Sequence, residues 1–277
     1  VKFNQYGIYA QDEWNVLNNL KLTAGIRFDN ISFDKDDLME NKAISTLDFG
    51  GRKIDTGSWP KGNIQVSPRI GFTWDVFGDK SLKVRGGTGL FAGRLPLVFF
   101  TNMPSNALMA QGSAVASTTY ALDGTITPDA ALNKFKGGLV TDVTKIRELL
   151  GAPATITPEQ GSLPKNFAGV DHNFKMPQVW KTAIAIDGQV PVSFPLSFTA
   201  EFTFTKKIHD VMLDNYNIKS NDGWETLKGT GDDRYIYPKD YRYYKNINSA
   251  CVLTNTSKGY GWTFTFTVNA EPVQNLN

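Results

Sequence analysis

Apolar and polar residues alternate strictly along several stretches of this chain, and this pattern limits its fold more than any other property. Between Leu20 and Asp29 every second side chain is apolar, and the others are Lys, Thr, Gly, Arg and Asp. The same pattern recurs over 64–76, 196–205 and 262–268, and the apolar positions carry no charge. Because successive side chains of a β-strand point to opposite faces of its sheet, each stretch predicts a strand with one apolar and one polar face.

Applied to the whole chain, the alternation predicts eight strands. Their approximate ranges are 2–14, 20–34, 64–77, 82–94, 178–189, 196–213, 241–256 and 260–271. Many of these exceed the five or six residues that are usual for strands of soluble proteins. They match the roughly 9–11 residues with which a tilted strand crosses a lipid bilayer.

The connections between these strands alternate between short and long. Short turns rich in Gly, Asn, Asp or Pro are predicted at 15–19, 78–81, 190–195 and 257–259. The long connections cover about 35–63, 95–177 and 214–240. Outer-membrane barrels have this plan, with short periplasmic turns and long external loops. The 95–177 insertion is expected to be partly helical, because Thr141–Leu150 has helical character and is followed by Gly151.

The predicted fold class is therefore all-β: an antiparallel meander of long hairpins that forms part of a transmembrane β-barrel. The whole chain, 1–277, is interpreted as one partial barrel region with a long, partly helical loop insertion. A soluble β-sandwich also alternates apolar and polar residues. A sandwich module that binds carbohydrate or protein is the alternative that the pattern leaves open.

Composition and motifs argue against several other classes of protein. A formal net charge of +2 is not the basic balance that is typical of nucleic-acid binders. The two histidines, His172 and His209, lack metal-site spacing, and the sequence contains no nucleophile elbow or phosphate-binding loop. We therefore expect no metal, no cofactor and no enzymatic activity. No apolar stretch is long enough for a transmembrane helix, and the first residues do not read as a signal peptide.

Three segments of the first third of the chain have the form of known motifs. The first is YAQDEW at Tyr9–Trp14, followed by NLKLTAGIRFD at Asn19–Asp29. The second is SPRIGFTWD at Ser67–Asp75, and the third is VRGGTGLFAGR at Val84–Arg94. In this order and spacing, they resemble TonB-dependent outer-membrane receptors, particularly the Oar-like group.

The resemblance implies a protein of the cell outer membrane that takes up a scarce solute. Its partners would be membrane lipid, its own plug domain and TonB, the inner-membrane protein that drives uptake. We find no segment resembling a plug or a TonB box in these residues, so the expectation is a barrel fragment of a longer receptor.

In a barrel, the two faces of each predicted strand would lie in different environments. Charged side chains on the polar faces would point into the lumen: Arg27, Arg69, Arg85 and Glu201. Large apolar side chains on the opposite faces would contact lipid: Leu22, Ile26, Phe72, Phe202 and Phe266. A tyrosine-rich stretch that includes Tyr235, Tyr237 and Tyr241 has two interpretations. It would form either an external ligand surface or a girdle of aromatic residues at the lipid headgroups.

Overall fold

The structure is a computed structural model that describes residues 2–34, 38–109, 118–128, 133–135, 137–151, 155–227 and 231–273. Its strands are β1 (Phe3–Leu17), β2 (Leu20–Phe33), β3 (Ile64–Asp75), β4 (Leu82–Ala92), β5 (Thr118–Tyr120), β6 (Ile126–Pro128), β7 (Asn166–Val170), β8 (Gln178–Gln189), β9 (Leu196–Asn215), β10 (Ser249–Thr256) and β11 (Tyr260–Ala270). Its helices are α1 (Lys42–Ser45), α2 (Val98–Asn106), α3 (Val143–Leu150) and the 3-10 turn Pro158–Gln160. None of the helices in the described ranges is long and apolar enough to span a membrane.

Nine of the strands in the described residues form a single sheet. Strands β1, β2, β3, β4, β8 and β9 follow one another in space, and each is antiparallel to the next. Strands β5 and β6 form a small separate hairpin. The predicted antiparallel meander is therefore confirmed. So is the partly helical insertion, because α3 begins after Asp142, whose carboxylate accepts from two backbone amides, and ends at left-handed Gly151.

The predicted hairpin around 257–259 is wrong. Strand β10 pairs with β9 up to Thr256 opposite Asp210, and β11 resumes with Tyr260 opposite Lys206. The register is the same on both sides of the interruption, so β10 and β11 form one interrupted strand along β9. The physical reason is the length of β9, whose 20 residues offer partners to both segments.

The residues at the interruption explain why the sequence predicts a hairpin turn here. Ser257 and Gly259 are turn-forming residues, and Gly259 has a φ of +114°, which favours glycine. The chain nevertheless continues in the same direction, and the Gly259 carbonyl accepts a hydrogen bond of 3.1 Å from the Lys207 amide. The residues thus break a strand without reversing it.

Two further strand assignments differ from the prediction. The range 241–256 was predicted as one strand, but the strand begins only at Ser249 and residues 241–248 belong to a loop. The alternating tyrosines of that loop resemble a strand in sequence, but Tyr241 and Tyr243 make backbone hydrogen bonds to Lys219 and Asn217, which lie beyond the end of β9. Strand β7 lies inside the predicted 95–177 insertion and pairs with β10 in parallel. The sequence of a buried parallel strand is a short apolar run without alternation, so the alternating pattern does not predict such a strand.

The described parts of the three long loops, between β2 and β3, between β4 and β8, and between β9 and β10, are here called the loop cap. They pack with β7, β10 and neighbouring strand ends around two hydrophobic clusters. The first cluster contains Trp59, Leu95, Phe100, Met103, Val170, Phe174, Met176 and Leu253. The second contains Ile44, Phe49, Ile54, Phe167, Ile247, Ala250 and Val252. Burial of this apolar area gives the loop cap a core of its own.

Candidate functional site

One face of the large sheet is apolar and uncovered. Leu22 pairs with Phe72 across β2 and β3, and Phe202 pairs with Phe264 across β9 and β11. The register therefore places the five predicted lipid-facing residues on this face: Leu22, Ile26, Phe72, Phe202 and Phe266. Ile26 is 38% exposed, Phe202 40% and Phe266 60%.

The uncovered face excludes the sandwich. A β-sandwich buries its apolar face against a second sheet. In the described residues the only other sheet is the short hairpin of β5 and β6. The alternative of a soluble β-sandwich module is therefore wrong.

The opposite face of the sheet carries charge. The register places the four predicted lumen-facing residues on it: Arg27, Arg69, Arg85 and Glu201. Arg85 lies between two carboxylates, at 2.9 Å from Asp187 and 3.3 Å from Glu201. Two acidic partners were missed in the sequence: Asp187, and Asp29, which accepts two hydrogen bonds from Arg27. Asp29 follows Arg27 by two residues on β2, so alternation alone could have identified it, whereas Asp187 on β8 requires the register with β4.

The loop cap contains an open cavity of about 820 Å³ between the end of β9 and the loop that follows it. We call it the aromatic groove and define it by six of its lining residues: Arg52, Asp214, Trp224, Tyr235, Tyr237 and Tyr243. Its volume lies within the range of about 300–1,000 Å³ that is common for ligand pockets. The groove joins residues from two loops that are far apart in the sequence.

The aromatic side chains of the groove are tilted against one another. The Trp224 ring lies 5.2 Å from that of Tyr237 and 6.4 Å from that of Tyr235, at 59° and 84°. Tyr235 is 51% exposed and Tyr237 is 58% exposed. Because the rings are tilted and not stacked, parts of their faces remain open to a ligand. Tyr241 is not among the lining residues, but its ring contacts that of Tyr237 at 4.8 Å.

The cations of the groove are paired with carboxylates. Arg52 lies 3.0 Å from Asp214, and Lys219, a further lining residue, lies 3.1 Å from Asp240. The Lys219 ammonium group donates to Asp240 and holds the pKa of that carboxyl below its usual value. Among the described lining residues, these pairs place hydrogen-bonding groups around the rings and leave Arg52 and Lys219 each with a carboxylate partner.

A third pair lies at the rim, where Arg234 donates to Asp232 at 2.8 Å. Hydrogen bonds from Arg234 lower the pKa of the Asp232 carboxyl. Arg52 is further fixed by its position, 4.3 Å over the ring of Tyr216.

A buried amide, that of Asn217, lies next in the chain to Ile218, which lines the groove. The Asn217 side chain donates to the carbonyls of Tyr244 at 3.0 Å and Ile247 at 2.7 Å, and accepts from the Tyr244 amide at 2.9 Å. The Asn217 carbonyl accepts from the Tyr243 amide at 3.0 Å. These bonds hold the tyrosine-bearing loop against the end of β9. In the part of the chain that the structure describes, no group of three His, Cys, Asp or Glu side chains could hold a metal ion.

These features define a class of protein. Long antiparallel strands carry an apolar uncovered face and a charged face, with tight turns at one end and folded loops at the other. That arrangement is the wall of a transmembrane β-barrel, since closure in lipid satisfies the backbone groups of every strand. The chain belongs to the outer membrane beta barrel domain family, whose model matches residues 1–260. It is accordingly a protein of the outer membrane, with its wall in lipid.

The comparison with solved structures gives a more distant likeness. The siderophore receptor PirA from Pseudomonas aeruginosa matches with a TM-score of 0.39 and 10% sequence identity. The match covers 97% of this chain and 31% of the receptor, so the chain spans only part of that protein's length. No curated protein sequence matches the chain.

Proposed function

We propose that this chain forms part of the wall and the external mouth of an outer-membrane receptor that takes up a solute. The observation that carries the proposal is the aromatic groove in the loop cap, at the end of the sheet opposite the tight turns. Hydrogen bonds hold its residues in place before a ligand arrives: Arg52 donates to Asp214 and to two backbone carbonyls, and backbone bonds join residues 225–227 to 234–236. A site that is preorganised in this way binds at a lower entropic cost than a mobile loop.

The motif resemblance supports the TonB-dependent, Oar-like type of receptor. Its three segments form β1, β2, β3 and β4, which are consecutive in the sheet. In this proposal the chain is one partial barrel region of a longer receptor, which also carries a plug domain. The solute is captured at the external loops, and TonB then acts on the plug so that the lumen opens. The role of the chain is capture and passage, without a chemical step.

The two faces of the sheet have separate roles in the proposed receptor. Arg27, Arg69, Arg85 and Glu201 face the lumen, where they contact water or the plug. Charge is tolerated there, whereas it costs about 2–4 kcal/mol on the lipid side at the bilayer midplane. The lipid side is formed by Leu22, Ile26, Phe72, Phe202 and Phe266. Tyr235 and Tyr237 contact the solute, and Tyr241 supports Tyr237.

The proposal is tested by determining on which side of the outer membrane two positions lie, in the full-length protein in intact cells. We would introduce Asn221→Cys at the groove and Ser193→Cys in the tight turn between β8 and β9, each with Cys251→Ser. A maleimide that cannot cross membranes should label N221C in intact cells, and S193C only after the outer membrane is permeabilised. Both positions are exposed, so a difference in labelling reports their side of the membrane. Reversed labelling, or equal labelling of both sites in intact cells, would overturn the proposal.

A further inference from the structure

We propose that the aromatic groove binds a neutral oligosaccharide. This inference rests on the receptor function proposed above and names the class of its solute. It follows from three properties of the groove: open aromatic faces, paired charges, and a rigid open shape.

The aromatic faces fit the apolar side of a sugar ring. A pyranose presents C–H groups on its faces and hydroxyl groups around its edge. The electron-rich face of an aromatic ring attracts such C–H groups, which carry a small positive charge. Trp224 offers a partly open indole, and the rings of Tyr235 and Tyr237 are inclined to it at 84° and 59°. Several inclined rings can contact successive sugars of a chain that bends through the groove.

The paired charges fit the hydroxyl groups at the sugar edge. A planar carboxylate can accept hydrogen bonds from two neighbouring hydroxyls, and Asp214 provides such a group 3.0 Å from Arg52, which retains one N–H donor beyond its bonds within the protein. A polyanion would instead require Arg or Lys groups that are free of carboxylate partners. In the groove Arg52, Lys219 and Arg234 each already have a carboxylate partner. The charge pattern therefore favours a neutral ligand over an anionic one.

The shape fits a short chain of sugars. The cavity of about 820 Å³ lies open along one side, where Tyr235 and Tyr237 are exposed. Its Arg52 side is fixed, because the Arg52 guanidinium also donates to the carbonyls of Tyr216 at 3.1 Å and Ile218 at 3.3 Å. A fixed open groove binds part of an extended ligand whose remaining length stays in solvent.

Binding by the purified full-length receptor in detergent tests the inference. The protein would be screened on an array of neutral oligosaccharides, with anionic oligogalacturonate and a tyrosine-rich peptide as comparison probes. Calorimetry with the best neutral ligand would follow. We expect Trp224→Ala and Tyr237→Ala each to weaken binding about tenfold or more, the loss typical of a truncated aromatic anchor. Ile236→Ala is the matched control, because Ile236 is exposed between two groove tyrosines but is not among the lining residues.

The outcomes separate this inference from the proposed function. Binding of a neutral oligosaccharide that is lost in W224A and Y237A but kept in I236A supports it. Binding of only the anionic probe or the peptide overturns it, as does the absence of neutral ligands on the array. Neutral binding that W224A and Y237A leave unchanged places the sugar elsewhere and also overturns it. Because labelling of N221C and S193C is measured independently, a groove that faces outward but binds no neutral sugar refutes only this inference.

Discussion

At the scale of single residues, two buried asparagines determine how the loop cap is assembled. The Asn41 side chain donates to the carbonyls of Ala107 and Ser162, each at 2.8 Å, and accepts from the Ala43 amide at 2.9 Å. Asn217 makes the corresponding set of bonds to Tyr244 and Ile247. Neither residue is distinctive in the sequence, because asparagine is common in exposed turns. Their roles depend on burial, which arises only when distant loops pack together.

Replacing Asn217 by alanine should loosen residues 243–247, which include the groove residue Tyr243. The change leaves the buried carbonyls of Tyr244 and Ile247 without their side-chain donor, at a cost of about 1–3 kcal/mol for each group that stays unsatisfied. Hydrogen exchange on the full-length protein in detergent should show faster exchange in 241–248. Asn248→Ala is the control, since the Asn248 side chain is exposed in the same loop. Equal exchange rates in N217A and N248A would show that the amide does not stabilise the loop.

At the scale of elements, local alternation predicts well where a strand has two different faces. Strands β1, β2, β3, β4, β8 and β9 lie close to their predicted ranges for this reason. Alternation does not predict the pairing of a strand correctly where that pairing depends on residues far away in the sequence. The segment 257–259 has the residues of a hairpin turn, yet β9 is long enough to pair with the chain on both sides of it. Strand β7 depends on a parallel partner about 80 residues later in the chain.

Spin labels distinguish an interrupted strand from a hairpin. In a hairpin around 257–259, labels at Thr254 and Trp262 would be cross-strand neighbours, about 5 Å apart at their β-carbons. In one interrupted strand they are separated by eight residues, or about 26 Å at 3.3 Å per residue. Pulsed electron resonance on the full-length protein with Cys251→Ser should therefore give the long distance.

Labels at Trp14 and Leu22 provide the control for this measurement. These two residues are partners across the β1 and β2 hairpin, and they should give a short distance. A short distance for both pairs would contradict the interrupted strand.

At the scale of the whole molecule, the sequence predicted the wall better than the groove. Every strand of the wall has one apolar and one polar face, so the sequence of each strand indicates the two faces independently. The groove is built from parts of separate loops: Arg52 follows β2, whereas Trp224 and Tyr237 follow β9. Tyr235 and Tyr237 were predicted because they lie in a tyrosine-rich stretch. Arg52, Asp214 and Trp224 were missed because only the packing of the loop cap brings them together.

The two faces of the wall should differ in their tolerance of charge. Phe202 and Thr203 are adjacent in β9 and lie on opposite faces, with Phe202 beside Phe264 on the apolar side. Phe202→Arg places a charge toward lipid, where it costs about 2–4 kcal/mol near the midplane. Thr203→Arg places the same charge on the polar face, close to Glu201, whose carboxylate Thr203 approaches at 3.5 Å.

Assembly in cells provides the measurement. The amount of full-length protein that is folded in the outer membrane, judged by its heat-modifiable migration on gels, should fall strongly for F202R and little for T203R. Both variants carry the same new side chain on the same strand, so differences in synthesis or strand propensity cancel between them. Equal losses would mean that the two faces meet similar surroundings, and a greater loss for T203R would reverse the assignment of lumen and lipid. Because every strand of the meander shares this register, the result would orient the whole wall.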